Sequence, residues 1–145
     1  MNETILRFGY PDTLVAEYRH WLVLLRPQQP TLGSLVLAAS GEFTSLSDLP
    51  AQAFAELRRA VCDIEAALGS AVGYARINYL MLMMVDPHVH WHVIPRYQGT
   101  REATGVTVAD KGWPKLPELG DALALDPAQI EALRAWLRSH WPVAE

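Results

Sequence analysis

The chain contains a single cysteine, Cys62. An intrachain disulfide is therefore excluded, and a reducing compartment fits. Cys62 falls within a helical pattern and is expected to be a small, buried packing residue. Long hydrophobic runs are also missing. No stretch approaches the roughly 20 apolar residues that span a bilayer, and Tyr79 to Val85 is short enough to read as a buried strand. Basic clusters are absent as well. With 12 Lys and Arg against 16 Asp and Glu, the formal net charge is -4. Nonspecific nucleic-acid binding needs concentrated positive charge and is not expected, whereas a local pocket for phosphate is still allowed. Met1-Asn2-Glu3-Thr4 lacks the basic-then-apolar pattern of a secretory signal, so the cytoplasm is the expected location. No repeat, low-complexity tract or linker divides the sequence. Its 145 residues, half of them apolar and 19% charged, suit one domain, 1–145, with a hydrophobic core.

The remaining pattern mixes strands and helices. Ile5 to Phe8 predicts a short first strand. Trp21 to Leu25 and Ser34 to Ala39 are apolar throughout and predict an antiparallel pair joined by the Pro- and Gly-containing segment 26–33. Pro50 suits a helix start, and Phe54, Leu57, Val61, Ile64 and Leu68 then recur at helical spacing, with Gly69 as the expected end. Tyr74 to Met84 predicts a long strand, interrupted by Asp86-Pro87 and followed at once by another through a tight turn. Segment 98–125 carries several glycines and prolines and reads as an irregular flap. Asp126-Pro127 opens a closing helix with Ile130, Leu133, Leu137 and Trp141 on one face.

The most informative run is His88-Val89-His90-Trp91-His92-Val93-Ile94-Pro95-Arg96. Alternation at period two is strand geometry. It sends the three imidazoles to one face and Val89, Trp91 and Val93 to the other, where Trp91 should enter a core beneath a helix. Three clustered imidazoles gain little as packing and repel one another when charged. A shared metal is one reading, but no Cys or carboxylate stands at metal-ligand spacing. Phosphorus chemistry at a nucleophilic histidine is the other, and it needs neither metal nor cofactor. Asn78, among apolar residues in the preceding strand, must find partners and reads equally as a structural bridge or a site residue.

His88 to Ile94 resembles the signature of the histidine triad family, in which His alternates with apolar residues and two apolar residues close the run. Pro95-Arg96, Thr31 to Leu37, Phe43 to Leu49 and Asn78 add weaker likeness, over about Arg26 to Arg96. The resemblance implies an α+β fold with an antiparallel sheet of about five strands, a long helix and a C-terminal helix. It also implies a homodimer with sheets joined across a twofold axis. The implied activity is hydrolysis of nucleoside phosphoramidates, dinucleoside polyphosphates and related nucleotidyl compounds. His90 would be the nucleophile, His92 would contact phosphate oxygens, and His88 would order the hydrogen bonds around them. Asn78, Ser34 and Arg96 would bind substrate, and Trp113, between Lys111 and Lys115, would cap the pocket or pack.

The chain also departs from the family pattern. Ser34 stands where a histidine often follows the glycine, and Leu24 and Leu25 where a ribose-binding polar group is common. Leu82-Met83-Met84-Val85-Asp86-Pro87 replaces a segment rich in amide and hydroxyl donors, which methionine cannot supply. The leading expectation is a nucleotidyl hydrolase or transferase acting on a small-molecule nucleotide, with no membrane partner. A nucleotide- or partner-binding protein with little turnover, or a metal-binding module built on His88, His90 and His92, are the alternatives.

Overall fold

A computed structural model describes residues 1–143. Helix α1 (Glu3–Arg7) comes first, then strands β1 (Leu14–Glu17), β2 (Trp21–Leu25), β3 (Gln28–Gln29) and β4 (Leu35–Ala39). Helix α2 (Ala51–Ala71), β5 (Arg76–Leu80), β6 (His90–Arg96), β7 (Thr100–Ala103), β8 (Val106–Ala109), β9 (Leu123–Ala124) and α3 (Pro127–His140) follow. Five strands form one antiparallel sheet in the order β1-β2-β4-β6-β5. The architecture is α+β, as expected.

β2 and β4 are buried along their whole length, which explains why their sequences are apolar on both faces rather than alternating. One sheet face packs beneath α2 and α3, through Trp21, Val23, Leu35, Leu37 and Val93. Trp91 lies on that side, half-buried, with its ring 5.5 Å from that of Trp21. The other face is covered by α1, whose Ile5 packs on Leu22, Leu24, Val36 and Ala38.

Several expected elements differ. Residues 5–8 belong to a helix and its cap rather than a strand. The Asn2 side chain accepts from Ile5 N–H at 2.9 Å and donates to the carbonyls of Ala39 and Gly41, which pins a one-turn helix to the end of β4. The buried line of α2 runs through Ala53, Ala60, Ile64, Ala67 and Leu68, and Phe54 is 43% exposed. Alanines every seventh residue let the helix approach the sheet, and the Trp21 indole donates to the Ala53 carbonyl at 2.7 Å. Gly69 lies within the helix. Gly73, at φ +63°, ends it, because the last turn must reverse hand there. Cys62 is exposed, on the solvent side of α2. The strand expected over 74–84 stops at Leu80, and the link to β6 is a nine-residue loop, 81–89, rather than a tight turn. Segment 98–125 contains the β7–β8 hairpin and β9, which pairs with β3. α3 begins as expected, with a reciprocal capping box between Asp126 and Gln129.

The hairpin is fastened to the sheet by a buried ion pair. Arg96 donates from Nε and Nη2 to the two carboxylate oxygens of Asp110 at 2.7 and 3.1 Å, and from Nη1 to Asn78 Oδ1 at 2.9 Å. Asp110 also accepts from Tyr97 N–H. Their side chains are 5% and 1% exposed. Such a pair stabilises little relative to apolar packing, but losing one partner strands the other. Asp110→Ala should therefore lower unfolding free energy by about 3–5 kcal/mol in urea titration. The double change Arg96→Met with Asp110→Leu should recover most of that loss.

Candidate active site

The site is built where β6 meets the loop before it. β6 lies between β4 and β5, with His90 opposite Ala38 and His92 opposite Val36 and Leu80. Both imidazoles leave the face that α1 covers. The ladder begins at His90, so His88 stands just before the strand rather than in it. All three rings are buried, at 8%, 2% and 8% exposure for His88, His90 and His92.

Each ring is held differently. His90 Nδ1 lies 2.7 Å from the His88 carbonyl oxygen. A carbonyl only accepts, so Nδ1 carries the proton, and the neutral ring keeps its lone pair on Nε2. His88 is fixed at both nitrogens, with Nδ1 2.8 Å from Thr4 Oγ1 and Nε2 2.8 Å from the Glu42 carboxylate. Since a carboxylate only accepts, Nε2 is the protonated nitrogen toward Glu42. Thr4 Oγ1 also accepts from the His88 backbone N–H at 3.3 Å. His92 Nδ1 faces Arg26 Nε at 3.4 Å and accepts from it, which leaves the proton of the neutral ring on Nε2. Burial, then the Arg26 charge, then His90, push the His92 imidazole down to about 4, so it is neutral at pH 7.

A cleft of about 270 Å³ opens on His90 and His92, walled by Phe8, Arg26 and the loop 82–86. The Phe8 ring lies 5.6 Å from that of His90 and 5.8 Å from that of His92. Arg7 bridges to Asp86 at 3.1 Å and so ties α1 to the loop across the cleft. A second cleft of about 250 Å³ shares Phe8 and Arg26 and continues to Arg7, Pro27 and Gln28.

The structure therefore brings His88, His90 and His92 together, and it places the other expected residues elsewhere. Asn78 shares the histidine face but bonds Arg96. Arg96 is 4% exposed, neither solvated nor at the mouth of the histidine cleft. Both line a separate cleft of about 630 Å³ along β5, with Trp113 and Lys115 on its far wall. Trp113 thus does not cap the histidines of its own chain. Lys111 pairs with Asp121 at 2.9 Å. Ser34 is fully buried, and its hydroxyl donates to the Thr31 carbonyl at 2.8 Å. Among the described residues no group of three or more His, Cys, Asp or Glu side chains is placed to hold a metal ion. His88 has both nitrogens engaged, by Thr4 and Glu42.

Residues 10–99 match the family model of the HIT domain. The chain belongs to the HIT family. Solved HIT structures carry the same fold. A histidine triad protein from Sinorhizobium meliloti superposes with TM-score 0.74 at 20% identity, over 97% of this chain and 95% of that one. One from Marinobacter aquaeolei gives 0.74 at 20%, over 97% and 94%. A hypothetical histidine triad nucleotide-binding protein from Sulfolobus tokodaii gives 0.68 at 18%, over 94% and 88%. Comparison with curated proteins returns no match.

In this HIT domain, four contacts of the site went unread in the sequence: Thr4, Phe8, Arg26 and Glu42. Arg26 alone left a trace. It extends the alternation of Leu22 and Leu24, whose face is that of Val36 and Ala38. The other three reach the histidines across 84, 82 and 46 residues of chain, where no spacing rule applies.

The depressed His92 has two measurable consequences. Its ring should titrate near pH 4 by NMR, and Arg26→Gln should move that value toward 6.5. The unfolded chain takes up this proton near pH 6.5, whereas the folded chain resists it down to about 4. Folding stability should therefore fall as pH drops through that window. His92→Gln should flatten the fall relative to wild type in urea titrations at each pH.

Proposed function

We propose that this HIT protein is a nucleotidyl hydrolase or transferase working through a covalent bond between His90 and the phosphorus of its substrate. One observation carries the reading. The His90 Nδ1–H is committed to the His88 carbonyl at 2.7 Å, which leaves a buried Nε2 lone pair on a ring that lines a cleft. The substrate class follows the family: a nucleoside phosphoramidate or a dinucleoside polyphosphate.

In the first half-reaction Nε2 attacks phosphorus. An N–P bond forms as the bond from phosphorus to the leaving group breaks, and the leaving group departs with its electron pair and takes a proton from solvent. The ring gains positive charge, which the Nδ1–H bond to the His88 carbonyl stabilises. His92, neutral with its proton on Nε2, donates to a phosphoryl oxygen. His88, clamped between Thr4 and Glu42, holds the carbonyl that orients His90. In the second half-reaction water or another hydroxyl attacks phosphorus, the N–P bond breaks, the nucleophile releases its proton to solvent, and His90 recovers its lone pair.

A homodimer accompanies this reading. β5 is an edge strand, and Met84, Val85 and Leu116 near it are 86%, 81% and 81% exposed, which supports sheet pairing with a second copy. Sedimentation should give twice the chain mass. Cytoplasmic residence rests on the lone Cys62 and on the family's small-molecule chemistry. No helix among the described residues is long and apolar enough to cross a membrane.

A second reading keeps nucleotide binding and drops turnover. It is favoured by the apolar wall of the cleft, Leu82 to Val85, where the family places polar donors. Turnover of adenosine phosphoramidate and diadenosine polyphosphates in chelator decides between the two. The expected result is product from wild type and at least a thousandfold less, by order of magnitude, from a folded His90→Ala protein. Equal rates in the two proteins overturn the covalent mechanism. Calorimetric binding of nucleoside monophosphate without product from any substrate favours the second reading.

A further inference from the structure

Arg26 is a cation without a counter-ion among the described residues. Among the described residues Arg7, Arg59, Arg96 and Lys111 each meet a carboxylate, and Arg26 meets none. It is half-buried, and a guanidinium cannot shed its proton. Nε donates to His92 Nδ1 at 3.4 Å and Nη1 to the Gln28 carbonyl at 2.7 Å. Nη2 has no partner among the described residues. No fully buried side-chain nitrogen or oxygen there lacks a partner, so Nη2 is not fully buried. Arg26 and Phe8 line both clefts, and the first cleft also opens on His90 and His92. A charge drawn partly out of water with no opposite charge is stabilised when an anion arrives, and a guanidinium offers that anion directed donors.

We propose that Arg26 is the phosphate anchor of this site, with Nη2 donating to a non-bridging oxygen of one phosphoryl group held beside His90. It would thereby supply the side-chain donor that Leu82 to Pro87 lacks. The inference rests on the phosphoryl substrate proposed above and narrows it. Arg7, which lines the second cleft, is already paired with Glu3 and Asp86. One unneutralised charge matches a single phosphoryl group, as in a nucleoside monophosphate or phosphoramidate, rather than the chain of charges in a dinucleoside tetraphosphate.

Calorimetric titration of adenosine monophosphate into wild type, Arg26→Gln and Arg26→Lys, in chelator, tests the anchor, with thermal melts confirming that each protein is folded. Arg26→Gln should weaken binding at least about tenfold, and Arg26→Lys by less. Should the glutamine variant fail to fold, the lysine variant carries the test, because it keeps the charge and loses the fork. Diadenosine tetraphosphate should bind wild type no more tightly than the monophosphate. Tighter binding overturns the single-phosphoryl assignment. Unchanged affinity in the folded variants overturns the anchor, as does no binding by wild type at millimolar concentration. A shift of the His92 titration in Arg26→Gln with no change in nucleotide affinity overturns it too, since Arg26 would then serve only His92. Failure of the covalent mechanism is separable. Arg26-dependent binding without His90-dependent turnover sinks the reaction alone, and His90-dependent turnover with Arg26-independent binding sinks the anchor alone.

Discussion

The site depends on the position of β6 as an interior strand covered on both faces. Between β4 and β5 its backbone groups are paired on either side, so the strand cannot slip. A slip of one residue would exchange Trp91 and Val93 for His90 and His92, sending imidazoles into the α2 and α3 core and a tryptophan toward the cleft. The cost of burying polar rings on an apolar face fixes the register. The same packing therefore sets the fold and aims the histidines. Few other contacts are needed to hold His90 than the carbonyl two residues before it.

From that register follows the electrostatic character of the cleft. The rings are withdrawn from water, and the positive charge beside them is the unpaired Arg26. His92 is consequently kept neutral, while His88 faces Glu42 and is held by an acceptor. Adjacent imidazoles thus take different roles from environment alone, without any change of residue type. α1 is part of this arrangement, because Thr4, Arg7 and Phe8 all reach the site from one turn and its cap.

What the sequence made legible is what is local. The histidine alternation, the two apolar strands, the capped closing helix and the five-strand sheet all rest on spacing within one element or on family likeness. What it hid is long-range. A one-turn helix at 3–7 is too short to stand on propensity, and it exists because Asn2 reaches the end of β4 and Ile5 finds a pocket on the sheet. Cys62 and Phe54 were misplaced for a related reason: the alanines at 53, 60 and 67, which carry little hydrophobic signal, define the buried line by letting the helix come close. The β7–β8 hairpin was visible in principle, since Val106 and Val108 alternate after a Thr104-Gly105 turn. The density of glycine and proline around it masked that pattern. Asn78 and Arg96 are ambiguous in the sequence because a polar group near a catalytic motif cannot be placed until its partner is known: Asn78 accepts from Arg96, and Arg96 is paired with Asp110.

The apolar loop opposite the histidines bears on how much chemistry such a site can sustain. A nucleophilic imidazole lowers a barrier only if the charge that develops on the phosphoryl oxygens is met in the transition state. Backbone and amide donors usually do this because they are fixed and need no reorganisation. Here the side chains of Leu82 to Val85 offer methyl and thioether groups and the Asp86 carboxylate is tied to Arg7, so side-chain donors to the developing charge come from the opposite side of the cleft, the His92 N–H and Arg26. A guanidinium half-withdrawn from water, with Nε on one histidine and Nη1 on a backbone carbonyl, is itself fixed. It can meet developing charge without first shedding a carboxylate partner, which Arg7 would have to do. An apolar wall then has a positive consequence: it lowers the local dielectric and strengthens whatever Arg26 and His92 contribute. The loss of polar donors on one side and the presence of an unpaired cation on the other are two parts of one electrostatic arrangement.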